Sequence, residues 1–243
     1  MFIPNLSPIG TLRKPLSGLV LHFGEGGASA RPCEAAWTAS SDNPLVKTPK
    51  VKVYVSRSSL RTMTAVYAPL GNKVTVEPLL FDKNELDAQA FLSMMAVGSS
   101  ESAPLYIQGV LVCGCGTTSL SLLLINLQSI LRDLGEDFTY ERFMEKLNER
   151  KETFNPAQIA GLEQRMALLK SLLDNAKGAR PKNRFAAGQL TIIDLSDPFI
   201  DPASACGLFD IILRLFVRAN VQTGKVLVVD EAHKVRIYVS PLQ

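Results

Sequence analysis

Two runs of apolar and β-branched residues stand in the last third of the chain, and each is followed directly by a carboxylate. Leu190–Ile193 precede Asp194, and Val226–Val229 precede Asp230 and Glu231. The segment between the runs has the apolar spacing of a helix of about 15 residues. Unbroken buried strands joined through a helix are typical of a parallel sheet covered on both faces, with right-handed β-α-β crossovers. The pattern therefore predicts an α/β fold with these carboxylates at the C-terminal edge of the sheet, where such sheets bind ligands.

Further strands are predicted in the first third of the chain. Leu19–Phe23 form a short apolar run that leads into a glycine turn, while Lys50–Ser56 alternate and contain several valines. Lys73–Phe81 form a third run of the same kind. Apart from the first of these runs, residues 1–49 are rich in Gly, Pro, Ser and Ala and are predicted to be an irregular N-terminal segment. We place the α/β domain at residues 50–235, followed by a tail at 236–243.

The middle of the chain has the apolar spacing of helices. Asp82 is a candidate N-cap for one helix, and Asp137 or Thr139 for another. A long amphipathic helix begins near Pro156, with an apolar stripe at Ile159, Leu162, Met166, Leu169 and Leu173. A packing role explains this stripe better than a cofactor role. The sequence thus predicts a helical insertion at about residues 137–175 within the α/β domain.

Composition excludes few classes of function. Apolar residues make up 47% and charged residues 20% of the 243 residues, as in ordinary globular proteins, and a net charge of +3 does not by itself indicate nucleic-acid binding. The cysteine spacings match no zinc template, and two histidines are too few for a histidine-rich metal site. The four cysteines are consistent with reduced thiols, and no secretion signal is visible. We therefore expect an intracellular protein, in the cytoplasm or nucleus.

The sequence "GKVLVVDEAHK" at Gly224–Lys234 has the form of the second nucleotide motif of a P-loop ATPase. In such a motif the aspartate holds magnesium through its water shell, and the glutamate orients the attacking water. Asp230 and Glu231 occupy these two positions. An acidic turn that caps a buried strand is the structural alternative.

With "LTIIDLSDP" one helix upstream, "LVVDEAHK" resembles the HerA–FtsK superfamily of P-loop motors, and the similarity extends over roughly residues 50–235. The resemblance implies a partial RecA-like parallel sheet, ATP and magnesium as cofactors, and a homo-oligomer or other subunits as partners. A nucleic-acid partner is implied by the family only, and a membrane partner is not expected. By the same resemblance Glu231 is the catalytic residue, Asp230 holds magnesium through water, and Asp194 lies on the adjacent strand end. Superfamily 2 helicases share the Asp-Glu-Ala-His box, but their Ser-Ala-Thr motif is absent from this sequence.

The phosphate loop that should accompany this motif does not occur in the sequence. No Gly-x-x-x-x-Gly-Lys-Ser/Thr is present, and "FGEGGAS" and "GNKVT" are the nearest approximations. Without the loop, the backbone N–H cradle and the lysine that contacts the phosphates are missing. We therefore expect a derived or truncated ATPase-like protein with little or no ATP hydrolysis, or alternatively a non-catalytic interaction module. In the truncated form the strand that ends at Asp230 lies at or near a sheet edge and promotes self-association.

One stretch, Ser102–Leu131, contains no charged residue. Within it, Val112–Gln128 allow three interpretations: a transmembrane helix, a buried core helix, or a translated intron. The length favours the first, but its glycines and polar residues and its lack of anchors weigh against a membrane span. The third is suggested because Val-Cys can encode a 5′ splice sequence, and residues 235–243 could be a second retained intron.

Overall fold

The computed structural model describes residues 5–6, 10–43, 46–88, 90, 127, 129–150, 154, 156–173 and 183–230. They form an α/β fold with two sheets. The short strands β1 (Asn5–Leu6) and β2 (Gly10–Thr11) make an antiparallel pair. The main sheet is entirely parallel and contains β3 (Ser17–His22), β4 (Lys50–Val55), β5 (Val74–Pro78), β6 (Gln189–Asp194) and β7 (Lys225–Val229). Its spatial order is β5-β4-β6-β3-β7. The predicted parallel α/β sheet is confirmed.

The strand β3 lies inside the main sheet, although it belongs to the first 49 residues. Leu19 pairs with Thr191 of β6 on one side and with Leu227 of β7 on the other. The connection from β6 to β7 therefore crosses β3, and the two strands with terminal carboxylates are not adjacent. This corrects the expectation that Asp194 and Asp230 stand on neighbouring strand ends. The apolar sequence of β3 explains its place, because an inner strand is covered on both faces.

Helices form largely where the sequence predicts them. They include α1 (Leu60–Tyr67), α2 (Tyr140–Arg150), α3 (Pro156–Leu172) and α4 (Pro202–Arg218), together with a 3-10 helix at Glu34–Ala39. Before α2, the Thr139 hydroxyl accepts the N–H of Arg142 at 3.3 Å, as an N-cap does. The helical insertion is confirmed by α2 and α3. Asp82 caps only a 3-10 helix, Lys83–Glu85, and Phe91 and Met94 of the helix predicted there lie outside the described residues.

Each face of the sheet has its own apolar core. Leu21 and Ile193 pack on one face with residues of α3 and α4, while Val20 and Ile192 pack on the other with α1 and the 3-10 helix. Successive side chains of a strand point to opposite faces. His22, two residues after Val20, therefore lies on the α1 face. Asp194, two residues after Ile192, lies on the same face.

A crevice results at the C-terminal edge between β3 and β6. After β3 the chain passes along the α1 face toward β4, whereas after β6 it passes through α4 on the opposite face toward β7. Adjacent strands whose connections leave in opposite directions define a topological switch point, the usual place for ligands in such folds. The loops that follow His22 and Asp194 border this crevice.

The strand β7 occupies one edge of the main sheet. Among the described residues it pairs only with β3, which confirms its predicted edge position. Leu227 and Val228 are 36% and 46% exposed, whereas every residue of β6 is buried. The expectation that both carboxylate-ending strands are covered on both faces is therefore wrong for β7, because an edge strand has fewer neighbours.

Several predicted features fall outside the described residues. They are Glu231, the tail at 236–243, the second possible intron at 235–243, and nearly all of Val112–Gln128. Of that last segment the structure describes Leu127, which is buried in the core with α3 and α4. No helix in the described ranges is both long and apolar enough for a membrane crossing.

Candidate functional site at the C-terminal edge of the sheet

Three strand ends meet at the switch point. His22 is paired in register with Asp194, and the N–H of Asp230 donates to the carbonyl of Leu21 at 2.9 Å. The predicted site residues Asp194 and Asp230 consequently lie on either side of the end of β3. His22 stands between them.

Asp230 contacts two side chains that the sequence analysis does not single out. Its Oδ2 lies 2.7 Å from Nδ1 of His22 and 4.0 Å from Sγ of Cys33. Together, one ligand atom from each of the three side chains lies within 4.8 Å of the others. Cys33 is buried, and the side chains of His22 and Asp230 are 14% and 40% exposed. We call these three residues the His–Cys–Asp cluster.

A hydrogen bond from the backbone N–H of Cys33 holds the segment that carries its thiol. Cys33 immediately precedes the 3-10 helix Glu34–Ala39, and its N–H donates to the Tyr67 hydroxyl at 2.9 Å. Burial is the main reason why the pKa of the Cys33 thiol is raised to about 12, and the nearby carboxylates of Asp194 and Asp230 contribute to the rise. The thiol is therefore protonated at neutral pH unless a cation compensates the thiolate charge.

Asp194 is a buried acceptor. It is 1% exposed, its Oδ2 accepts the Tyr67 hydroxyl at 2.6 Å, and its Oδ1 accepts the N–H of Ser196 at 3.0 Å. Burial, together with the charge of Asp194, raises the pKa of Tyr67 far above its usual range. The Tyr67 hydroxyl thus links Asp194 to the backbone of Cys33. The carboxylate positions the cluster and does not face solvent.

A second polar group follows the ends of β4 and β6. The carboxylate of Asp197 accepts hydrogen bonds from the hydroxyls of Ser56 and Ser58, and its other oxygen accepts the N–H of Phe199 at 2.8 Å. Asp197 and Ser56 are both buried. These contacts fasten the loop after β6 to the start of α1, so the group stabilises the wall of the crevice.

The glycine-rich loop after β3 is packed against the loop after β6. The N–H of Gly24 donates to the Ser196 hydroxyl at 3.0 Å, and a Cβ at Gly26 would lie 2.7 Å from Pro198. Only a three-residue 3-10 helix, Gly27–Ser29, follows. A phosphate loop instead offers several free N–H groups, a lysine and a longer helix N-terminus. The loop at "FGEGGAS" follows an inner strand at the switch point, but it lacks the lysine and the longer helix of a phosphate loop.

The donors around Asp230 do not fit magnesium. Magnesium prefers six oxygen ligands and keeps several waters, whereas Asp230 is bonded to an imidazole nitrogen and lies near a thiol. Nitrogen and sulfur donors favour zinc and similar transition metals. Glu231, the predicted catalytic residue, lies outside the described residues. The described residues around Asp230 therefore do not form a magnesium site for phosphoryl transfer.

Sequence reasoning overlooked His22 and Cys33 for different reasons. His22 could have been found, because it is the polar residue near the C-terminal end of the predicted strand Leu19–Phe23, at the same edge of the sheet as Asp194 and Asp230. Cys33 has no comparable signal, since it approaches Asp230 from a loop 197 residues away in the chain. Comparison of the chain with protein-family models, with curated proteins and with solved structures found no match.

Proposed function

We propose that this chain is a derived member of the HerA–FtsK-like ATPases that has an ATPase-like α/β domain but does not turn over ATP. The observation that carries the proposal is the hydrogen bond between Asp230 and His22 at 2.7 Å. It engages the motif's aspartate with a protein side chain at the position where a motor would hold magnesium. The absence of a phosphate-loop lysine from the sequence supports the same conclusion.

ATP turnover depends on how the γ-phosphate is positioned. A glutamate at position 231 activates water only when a γ-phosphate is held beside it, and such positioning can supply about 7–11 kcal/mol of the barrier. In the crevice, the N–H of Gly24 is already bonded to Ser196, and Pro198 leaves no room for a side chain at Gly26. The loop that would bind phosphate therefore offers little binding energy for turnover.

The test is an ATPase assay of the wild-type chain and the Glu231→Gln variant, with titration calorimetry of magnesium–ATP. We expect hydrolysis at background level in both proteins. Binding should be weak, with a Kd of about 1 mM or higher, which corresponds to a binding free energy no more favourable than about −4 kcal/mol. Turnover that disappears in Glu231→Gln would show that an unrecognised phosphate site exists. A Glu145→Gln variant, which makes the same change at an exposed glutamate on α2, serves as the matched control.

A non-catalytic interaction module is the second candidate. It is favoured by the exposed apolar residues Leu227 and Val228 on the edge strand β7, since an unpaired edge can accept another strand. Complete absence of nucleotide binding in the calorimetric titration, together with self-association or partner capture that requires Val228, would favour this candidate over the first.

A further inference from the structure

Three segments that are distant in sequence converge on one point at the C-terminal edge of the sheet. His22 comes from the end of β3, Cys33 from the loop before the 3-10 helix, and Asp230 from the end of β7. We propose that the His–Cys–Asp cluster is a binding site for a divalent transition metal of the zinc type. This goes beyond the proposed loss of ATP turnover and requires no nucleotide.

The distances are close to those that a tetrahedral ion requires. With metal–nitrogen and metal–oxygen bonds of about 2.0–2.1 Å and a metal–sulfur bond of about 2.3 Å, the ligand nitrogen and oxygen lie about 3.3 Å apart and the sulfur and oxygen about 3.6 Å apart. The corresponding separations are 2.7 Å for His22 to Asp230 and 4.0 Å for Cys33 to Asp230. The third separation, from His22 to Cys33, is within 4.8 Å, against about 3.6 Å for ligands of one tetrahedral ion. Shifts of up to about 1 Å in the ligand atoms therefore bring all three side chains onto one ion.

Charge balance favours the same ion. A dication, the thiolate of Cys33, the carboxylate of Asp230 and the neutral imidazole of His22 sum to zero net charge. Without a cation, a buried thiolate beside two carboxylates is costly, and the thiol stays protonated. Because metal ligands must be deprotonated, binding releases the Cys33 proton. Magnesium and calcium carry the same charge but bind thiolate and imidazole poorly, because they prefer oxygen donors.

Neighbouring groups fix the orientation of two of the ligands. The Tyr67 hydroxyl accepts the N–H of Cys33 and donates to Asp194, which ties the thiol-bearing segment to β6. A Cβ at Gly24 would lie 2.9 Å from Nε2 of His22, so this position must be glycine for the ring to keep its place. Outer contacts of this kind are typical of metal sites, where they orient the ligands.

The site has a closed and an open side. Cys33 is 1% exposed, while the side chain of Asp230 is 40% exposed. Three protein ligands leave a tetrahedral ion one position for water or another ligand, as catalytic zinc sites do. Solvent can reach that position from the Asp230 side.

Cobalt(II) substitution tests the proposal in the full-length chain. Thiolate-bound cobalt absorbs in the near ultraviolet through sulfur-to-metal charge transfer, and tetrahedral cobalt absorbs strongly in the visible. We expect both bands at one equivalent of cobalt and their displacement by zinc. The bands should be lost in Cys33→Ser and retained in Cys206→Ser. Because Cys113 and Cys115 could also chelate cobalt, the double variant Cys113→Ser/Cys115→Ser must retain them. Bands that survive in Cys33→Ser, or that vanish in the double variant, would overturn the assignment.

Asp230→Asn provides a second test, which does not depend on the folding of a core variant. Asp230 is partly exposed at the end of an edge strand, so this substitution should leave the circular dichroism spectrum unchanged. Changes to outer contacts of metal sites cost about 10–100-fold in affinity, and replacement of a charged direct ligand by a neutral amide, a poor zinc ligand, should cost at least about 100-fold. Zinc affinity equal to that of the wild-type chain would refute the site. Both tests omit nucleotide, so a failure here leaves the proposed loss of ATP turnover untouched, and ATP turnover would not remove the cobalt bands.

Discussion

Asp194 and Asp230 each follow an apolar strand of the same sheet, yet their surroundings differ. Asp194 ends the inner strand β6, is 1% exposed, and has both carboxylate oxygens occupied by Tyr67 and Ser196. Asp230 follows the edge strand β7, has a side chain 40% exposed, and its carboxylate contacts His22 and Cys33. The two strand ends have the same sequence pattern. The inner strand carries a structural carboxylate and the edge strand an accessible one, so the position of the strand in the sheet makes the difference.

This difference shows what a strand-end carboxylate can do in a parallel sheet. On an inner strand, neighbouring loops on both sides cover the carboxylate, so it must be satisfied by hydrogen bonds within the protein. On an edge strand, one side remains open, and the carboxylate can bind an ion from solvent. Substitutions at or beside either aspartate test whether the two carboxylates differ in this way.

Substitution of the inner carboxylate should have the largest effect on stability. Asp194→Ala leaves the buried Tyr67 hydroxyl and the Ser196 N–H without their acceptor. Each unsatisfied buried group costs about 1–3 kcal/mol, so we expect the free energy of unfolding to fall by about 3 kcal/mol, measured by urea denaturation. Asp194→Asn retains one carbonyl oxygen and should lose less. A loss no larger than that of Asp230→Ala would contradict the distinction between the two strand ends.

Removal of the hydroxyl that joins the inner carboxylate to the cluster should have an intermediate effect. Tyr67→Phe preserves the ring but removes the donor to Asp194 and the acceptor of the Cys33 N–H. We expect a loss of about 1–2 kcal/mol in the free energy of unfolding, because two buried groups lose partners but the packing is kept. Tyr54→Phe is the control for zinc affinity, since it removes the hydroxyl of another buried tyrosine, one that is hydrogen-bonded to Glu77 and lies in the other core cluster. If zinc affinity stays at the wild-type value in Tyr67→Phe, the hydroxyl has no role in orienting Cys33.

The fold was largely predictable because its signals are local. Unbroken apolar runs identified β6 and β7, and Pro156 and Thr139 identified the starts of α3 and α2. The spatial order of the strands was not predictable from these signals, because nothing in Leu19–Phe23 indicates that this strand separates β6 from β7. The partners of the candidate site depend on that order. His22 contacts Asp230 only because β3 lies beside β7, and Cys33 reaches them through a loop without regular periodicity.

Substitution of the exposed carboxylate should hardly change the stability of the metal-free protein. Asp230→Asn keeps a side-chain oxygen toward His22, and substitutions at partly exposed positions usually change the free energy of unfolding by no more than about 0.5 kcal/mol. Urea denaturation in the presence of a chelator measures this. With saturating zinc, the wild-type chain should gain stability in proportion to the logarithm of the zinc concentration, and Asp230→Asn should not. A stability loss in chelator as large as that of Asp194→Ala would mean that Asp230 is a structural carboxylate too.

A charged substitution on the edge strand β7 should have the smallest effect on folding but a measurable effect on association. Val228 lies on β7 with 46% exposure, and a charged residue on an edge strand opposes pairing with another strand. Val228→Lys should change the free energy of unfolding by less than about 0.5 kcal/mol, since the position is exposed and a lysine can extend its ammonium into solvent. In sedimentation velocity, we expect the wild-type chain to show concentration-dependent self-association and Val228→Lys to show less. Val217→Lys, which places the same charge at a similarly exposed valine on α4, is the control. Wild-type chain that remains monomeric at all concentrations would show that β7 is not an association edge, and that its exposure serves only access to Asp230.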